Sequence, residues 1–342
     1  MRLNLLGSFD KYTGYGRHST HMARALTSLG VSVRPITLDT LQMPHDLQRN
    51  LGISYDVLTI ALIAAQDFPS LPGRMWGYSM WETTVPPKEQ VENINDFCTR
   101  YIVPSEWLVE VYQNAGVERP IHVLPEGIDP NEFPYIERNW EHDRPYTFLC
   151  LGDRAGRKGD DLAWSAFFEA FQDEDDVRLI IKCTHENHAG LNLTNTDTRV
   201  SLWRGDVDSM RDVYAQADCF VFPSRGEGWG LPAREAAATG MPVLATRWSG
   251  LVDNIDRYAI PLQYEMVDAP IIGGQWAQPK LDDVVRWMRW CYENREEAKA
   301  FGKRASEWLH ANETWRHSAQ KLIEIVEGNH AAIRRATVRS AL

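Results

Sequence analysis

Glu227 and Glu235 stand in the run Phe222-Pro-Ser-Arg-Gly-Glu-Gly-Trp-Gly-Leu-Pro-Ala-Arg-Glu235, which leaves an apolar stretch and enters a helical pattern at Pro232. Proline is favoured at the first helical position, where its missing N–H costs nothing. The start of that helix, with the Gly228-Trp229-Gly230 backbone before it, offers uncommitted N–H groups to an anion. Two carboxylates cannot both face a phosphate without repulsion. Hydroxyl ligands suit them better, one acid holding sugar hydroxyls and the other a ribose diol. The competing reading of the same letters is a Gly-rich turn with solvated acids.

Leu151-Gly-Asp-Arg-Ala-Gly-Arg-Lys-Gly159 also follows an apolar stretch directly. Arg154 and Arg157 each bring a planar fork and Lys158 a compact charge, the equipment of a diphosphate clamp. Placed at a departing nucleotide, such cations stabilise the negative charge that builds on it. A basic surface turn is the alternative. The segment Gly7 to Arg17 carries Gly14 and Gly16 in a βα turn but is not G-x-G-x-x-G, so a dinucleotide site is not supported. Gly77 to Pro87 ends a strand in a polar, aromatic turn around Trp81 and Glu82. Glu82 fits either an acceptor contact or base, or a loop-capping acid.

Other constellations fail. His18 and His21 lie i, i+3 on a helical pattern with no third ligand at a useful spacing. His185, Glu186 and His188 lack the H-E-x-x-H order, and there is no G-x-S-x-G or Walker loop. Asp206-Val-Asp208 has the letters of a D-x-D pair but opens a loop. No metal is expected.

Short apolar strands alternate with amphipathic helices along the whole chain, the signature of parallel sheets covered by helices. Strands are expected at Leu3–Leu6, Val31–Ile36, Val57–Ile63, Met75–Tyr78, Tyr101–Val103 and His122–Leu124, with helices over Arg17–Leu29 and Ser105–Ala115. The stretch Pro130 to Pro145 has no periodicity and reads as a linker. The pattern restarts with strands at Tyr146–Leu151, Val177–Lys182, Ser201–Trp203, Cys219–Phe222 and Pro242–Ala245, and helices at Asp161–Phe171, Met210–Ala217 and Pro232–Thr239. The fold class is therefore α/β, with two Rossmann-like doubly wound parallel-sheet domains facing across a cleft. The domains are 1–135, a linker at 136–145, and 146–310, with a helical tail at 311–342 that packs back on the first domain. The cleft between two such units is the expected ligand site. Trp287, Trp290, Trp308 and Trp315 fall on apolar helix positions and read as packing residues.

The length of 342 residues suits two cores. A net charge of −11 argues against a broad grip on nucleic acid, which needs clustered cations. The 5 cysteines never take C-x-x-C spacing and read as reduced core thiols. Met1–Leu6 is too short for a signal h-region, and the longest apolar runs are strand-sized. A cytoplasmic protein without a transmembrane segment is expected.

The spacing Glu227-x7-Glu235 resembles the E-x7-E signature of family 4 glycosyltransferases, which have the GT-B fold and retain anomeric configuration. Ala217-Asp-Cys-Phe-Val-Phe-Pro-Ser224 is similar to that family's A-D-x-x-V-x-P-S strand, and Ala236-Ala-Ala-Thr-Gly-Met-Pro-Val243 to its continuation. The resemblance implies that Glu227 contacts the donor sugar. It likewise implies that the Gly228, Trp229, Gly230 and Leu231 amides bind hexose hydroxyls and phosphate, and that Glu235 binds ribose. Lys158-Gly159 resembles the end of the family's G-R-x-x-x-x-K-G loop. Asp153 stands where its Arg is expected, which leaves Arg154 and Arg157 both open as the second cation. Gly14 and Gly16 resemble the first-domain loop facing the donor phosphates. Where many members carry a His near the reacting carbon, the Glu82 turn resembles a subgroup with M-F/W-E-T-x-x-x-P. Val103-Pro-Ser-Glu-Trp107 and Leu124-Pro-Glu-Gly-Ile-Asp129 are similar to further turns of the first domain.

The function this implies is metal-independent hexosyl transfer from a UDP- or GDP-linked sugar, with no other cofactor, to a hydroxyl acceptor (glycan, lipid or small molecule). One alternative is a transferase acting on hydroxymethylated DNA bases, which duplex-DNA titration would reveal. Another is a non-catalytic sugar-nucleotide-binding protein, which detection of turnover would exclude.

Overall fold

In the computed structural model the first apolar run forms β1 (Arg2–Gly7), and the amphipathic stretch after it forms α1 (Gly14–Ser28). The structure describes residues 1–10, 13–37, 47, 56–138, 144–152, 156–173, 175–183 and 197–339, with side chains to residue 328. The chain divides into two compact units. One comprises Met1–Met80, Pro87–Gly127 and Glu313–Leu342, the other Trp81–Pro86 and Ile128–Asn312.

In the first unit, β2 (Ser32–Ile36), β3 (Thr59–Leu62), β4 (Met75–Tyr78), β5 (Arg100–Val103) and β6 (Ile121–Val123) join β1 in a parallel sheet of order β2-β1-β3-β4-β5-β6. α2 (Lys88–Phe97) and α3 (Glu106–Asn114) are crossovers between the later strands. β3 and β4 are buried along their whole length, so they read as unbroken apolar runs rather than alternating ones. α1 begins where Thr13 caps it. Thr13 Oγ1 accepts from Gly16 N at 3.0 Å, satisfying an orphan donor of the first turn. Asp10 Oδ1 in turn accepts from Thr13 N at 2.6 Å.

In the second unit, β7 (Tyr146–Gly152), β8 (Val177–Cys183), β9 (Val200–Arg204), β10 (Cys219–Phe222), β11 (Val243–Thr246) and β12 (Ile260–Leu262) form a parallel sheet of order β12-β11-β10-β7-β8-β9. Counted within the unit, that is the 3-2-1-4-5-6 order of a doubly wound sheet. Its connections reverse direction between β7 and β10. α4 (Asp160–Ala170) and α8 (Leu281–Glu293) contribute to a core on one face. α6 (Leu231–Ala238), α7 (Ile255–Tyr258) and α9 (Arg295–Asn312) contribute to the other. α5 (Met210–Tyr214) stops three residues short of the expected helix. An antiparallel hairpin of β13 (Tyr264–Asp268) and β14 (Gln275–Pro279) has no counterpart among the sequence expectations, and neither do α2 and β12.

The last helix, α10 (Trp315–Arg339), belongs to the first unit. Trp315 stacks on His21 of α1 with ring centroids 5.5 Å apart. The stretch read as a linker is packed at its start. Ile136 N donates to Thr239 O at 3.0 Å, and the buried Arg138 donates to Thr239 O at 2.6 Å and Ala217 O at 3.2 Å. All 5 cysteines are free and buried, and burial pushes the Cys98 thiol up to about 12. Among the described residues, no helix is long and apolar enough to cross a membrane.

Candidate active site

The reversal between β7 and β10 decides where chemistry can gather. Loops leaving the carboxyl ends of two neighbouring strands at such a point diverge and leave a crevice. β7 and β10 are paired neighbours there. The loop after β7 carries Arg157 and Lys158, and the loop after β10 carries Glu227.

The two loops are fastened together. Arg225 N donates to Arg157 O at 2.7 Å. The Arg225 guanidinium forks onto Asp161 at 2.8 and 2.7 Å and also reaches Gly156 O. Gly159 adopts φ 74°, and a Cβ there would overlap the Pro223 carbonyl. Only glycine satisfies both demands.

At the centre, Glu227 Oε1 accepts from Lys158 Nζ at 2.7 Å, Arg157 Nη1 at 2.9 Å and Ser224 Oγ at 2.7 Å. Arg157 Nη1 also donates to Gly226 O at 2.5 Å. Glu227 is 7% exposed. Burial pushes its carboxyl up, but the charges of Lys158 and Arg157 and the hydrogen bonds from Lys158 and Ser224 outweigh that and hold it below the usual range. All three of these donors converge on one oxygen, and among the described residues no hydrogen bond reaches Oε2. The backbone of Glu227 is clamped on both sides: its N–H donates to Ser249 Oγ at 3.0 Å, and its carbonyl accepts from Gly250 N at 2.9 Å. Ser249 has φ 57°, a left-handed conformation that is unfavourable without glycine.

After Glu227 the chain turns through Gly230, at φ 89°, into α6, with Pro232 in its first turn and no side chain capping the helix. Among the described residues, nothing accepts from the N–H groups of Gly228, Trp229, Gly230 or Leu231. The Trp229 ring is 1% exposed and lies under the equally buried Arg234, whose Cζ is 3.5 Å from the ring centroid. Arg234 also donates to Trp229 O and, at 3.0 Å, to Asp253 O. Trp229 is thus a packing residue by its side chain and offers only its backbone. Glu235 is buried on α6, where its Oε2 accepts from Tyr214 Oη at 3.2 Å.

Structure therefore brings Lys158, Arg157 and Glu227 into direct contact, and puts the 228–231 amides and Glu235 on the turn and helix that follow. Arg154 lies outside the described residues, as do His185, Glu186 and His188. Gly14 and Gly16 belong to the first unit, where a Cβ on Gly16 would overlap Asp10. His18 is taken up by Glu126, with Nδ1 2.7 Å from Oε1. Glu82, read from sequence as part of the first domain, lies in the second unit. Its carbonyl oxygen sits where a Cβ on Gly226 would be, one residue from Glu227.

Sequence reasoning missed Ser224, Arg225, Arg234 and Ser249. The first three stand inside the segment already singled out, where the missing information was burial, beside a carboxylate for Ser224 and Arg225 and over the Trp229 ring for Arg234. Ser249 had no signal at all, being 22 positions from the amide it caps.

Residues 105–322 match the model of a family described as "Family 4 Glycosyltransferase in conflict systems". A GDP-mannose-dependent alpha-(1-6)-phosphatidylinositol monomannoside mannosyltransferase of Mycobacterium tuberculosis is 24% identical over 242 residues, 64% of this chain and 58% of that protein. The mannosylfructose-phosphate synthase of Agrobacterium fabrum is 27% identical over 250 residues, 65% and 50% of the two chains. The chain thus spans about half the length of the curated relatives it matches. Among solved structures, the sucrose-phosphate synthase of Thermosynechococcus elongatus superposes with a TM-score of 0.73 at 16% identity, covering 97% of this chain and 100% of that one. Anabaena HepE in complex with UDP-glucose gives 0.70 at 12% identity, covering 96% and 100%. Two parallel six-stranded sheets with flanking helices are the GT-B fold of these structures.

Proposed function

This chain belongs to the family 4 glycosyltransferases of conflict systems, and from that premise we propose that it transfers a hexose from a nucleoside diphosphate to a hydroxyl acceptor with retention of configuration. The observation that carries the reading is the shared oxygen of Glu227. Two cations converge on Oε1, Oε2 is left for a ligand, and four consecutive amides without partners among the described residues follow in the chain.

A donor diphosphate suits the amides and the helix start of α6, where partial positive charge accumulates. Lys158 and Arg157 then exchange part of their hold on Glu227 for the phosphate oxygens. Glu227 Oε2 accepts from a sugar hydroxyl, and Glu235 from the ribose. UDP and GDP are both candidates, since HepE is bound to UDP-glucose and the mannosyltransferase is GDP-mannose-dependent.

In the transfer step the acceptor oxygen bonds to the anomeric carbon as the bond from that carbon to the phosphate oxygen breaks. With attack on the face of departure, the acceptor proton passes to the leaving phosphate. Lys158 and the amides stabilise the charge on that group. Glu82, beside Gly226, is the acceptor-side acid in this scheme.

The test is a thermal-shift screen with UDP, GDP, UDP-glucose and GDP-mannose, followed by nucleotide-release assays on Lys158→Ala and Glu227→Ala. A nucleotide at a hundredfold its Kd should stabilise the protein by about 2.7 kcal/mol. No shift with any of the four, or unchanged turnover in both variants, would overturn the reading.

A further inference from the structure

The hairpin that sequence did not foresee stands beside the candidate site by way of one strand edge. β13 occupies one edge of β14. On the other edge, two N–H groups spaced i, i+2, and therefore pointing the same way, take different partners. Gln275 N donates to Thr84 Oγ1 at 2.8 Å, and Ala277 N donates to Arg225 O at 2.9 Å. The next side chain adds a third tie, Arg225 Nε to Gln278 Oε1 at 2.8 Å.

The strap Trp81–Pro86 is held from its side as well. Thr84 N donates to Gln275 O at 3.0 Å. Trp81 Nε1 donates to Thr83 Oγ1 at 2.8 Å and Val85 O at 2.9 Å, folding the strap on itself. Two glycines allow the close approach. A Cβ on Gly274 would come within 2.9 Å of Val85 N, and Gly274 has φ 71°. A Cβ on Gly226 would overlap the Glu82 carbonyl oxygen and lie 3.3 Å from the Trp248 ring. One strand therefore sets the register of both the strap bearing Glu82 and the loop bearing Glu227.

We propose that the edge of β14 turned away from β13 is a positioning element for the transfer site, with Thr84 as its key residue: it fixes Glu82 relative to Glu227, and so governs turnover rather than donor binding. The claim rests on the glycosyl-transfer reading above. Donor affinity comes from the phosphate and ribose contacts, none of which the strap supplies. The strap bears on where the acceptor-side acid stands.

Thr84→Val keeps the shape and removes the acceptor oxygen, and Thr84→Ser keeps the oxygen. Nucleotide release from UDP-glucose and GDP-mannose is measured, with calorimetric Kd values for UDP and GDP. Expected is about a tenfold fall in kcat for Thr84→Val with KM and Kd within about twofold, and near wild-type turnover for Thr84→Ser. Wild-type kcat in Thr84→Val, or equal losses in kcat and Kd, would overturn the proposal. Absence of turnover in the wild type with either donor counts against the glycosyl-transfer reading instead. The positioning claim is then judged by hydrogen exchange at the bonded amides of Glu227 and Ala277: about a fivefold acceleration in Thr84→Val supports it, and unchanged exchange defeats it.

Discussion

Lys158 Nζ lies 2.7 Å from Glu227 Oε1, and both groups are largely withdrawn from water. The cation proposed to meet the donor phosphates is thus held by a carboxylate. Neutralising that acid should free positive charge for the nucleotide. Glu227→Gln is expected to bind UDP or GDP at least as tightly as the wild type, by up to about tenfold or 1.4 kcal/mol, while nucleotide release falls about a hundredfold for want of the sugar contact. Lys158→Met should weaken nucleotide binding instead. Isothermal titration with each nucleotide checks both, and a parallel loss of affinity in the two variants would show that the pair is a structural strut.

The same pair makes stability depend on pH. The Glu227 carboxyl titrates below its unfolded value, which lies at about 4.3, because the adjacent cations and hydrogen bonds outweigh its burial. A depressed carboxyl contributes stability above the unfolded pKa and loses it as pH falls through the folded one. The difference in melting temperature between the wild type and Glu227→Gln should be full at neutral pH and shrink progressively below about pH 4. Calorimetric scans across that range measure it, and a constant difference would mean that the carboxylate charge is not what stabilises the loop.

Ser249 tests the clamp behind the site. Its left-handed backbone is unfavourable, and its hydroxyl accepts from Glu227 N. Ser249→Ala keeps the strain and removes the acceptor, and should cost about 1–3 kcal/mol. Ser249→Gly also loses the acceptor but relieves the strain, so it should cost less. Denaturant unfolding of the two variants ranks them, and the reverse order would refute the assigned strain.

Much of this architecture was legible because parallel strands buried on both faces appear as short apolar runs. β4 and β10 match their expected bounds, and most other strands differ by one or two residues. The hairpin β13–β14 escaped because three of its first five residues are exposed or charged, and its partners lie elsewhere in the chain: Thr84 is 191 positions from Gln275. In the candidate site, Lys158 and Glu227 were readable as residue types after strands. The sharing of one Glu227 oxygen by Lys158 and Arg157 was not, since it depends on β7 and β10 being neighbours despite 66 intervening residues. For Trp229 only the backbone was assigned a role from sequence; what was not legible is that Arg234 covers its ring.

His18 reads in sequence as half of a failed metal pair, and the structure gives it a different task. Its Nδ1 meets Glu126 Oε1 at 2.7 Å with both side chains almost fully buried, and its ring stands edge-on to Tyr78 at 4.4 Å. The contact ties α1 to the turn after β6. Removing one partner of a buried polar pair leaves the other desolvated, so His18→Leu should destabilise the first unit by about 3 kcal/mol. Glu126→Gln keeps an acceptor for the imidazole and should cost less. The double variant should lose less than the sum of the two, because the second substitution removes a group already stranded. Hydrogen exchange in α1, followed by peptide, reads the effect within the first unit alone. Additive losses would show that the two side chains act independently, and the tie between helix and turn would then have to come from Trp315 and the apolar packing around it.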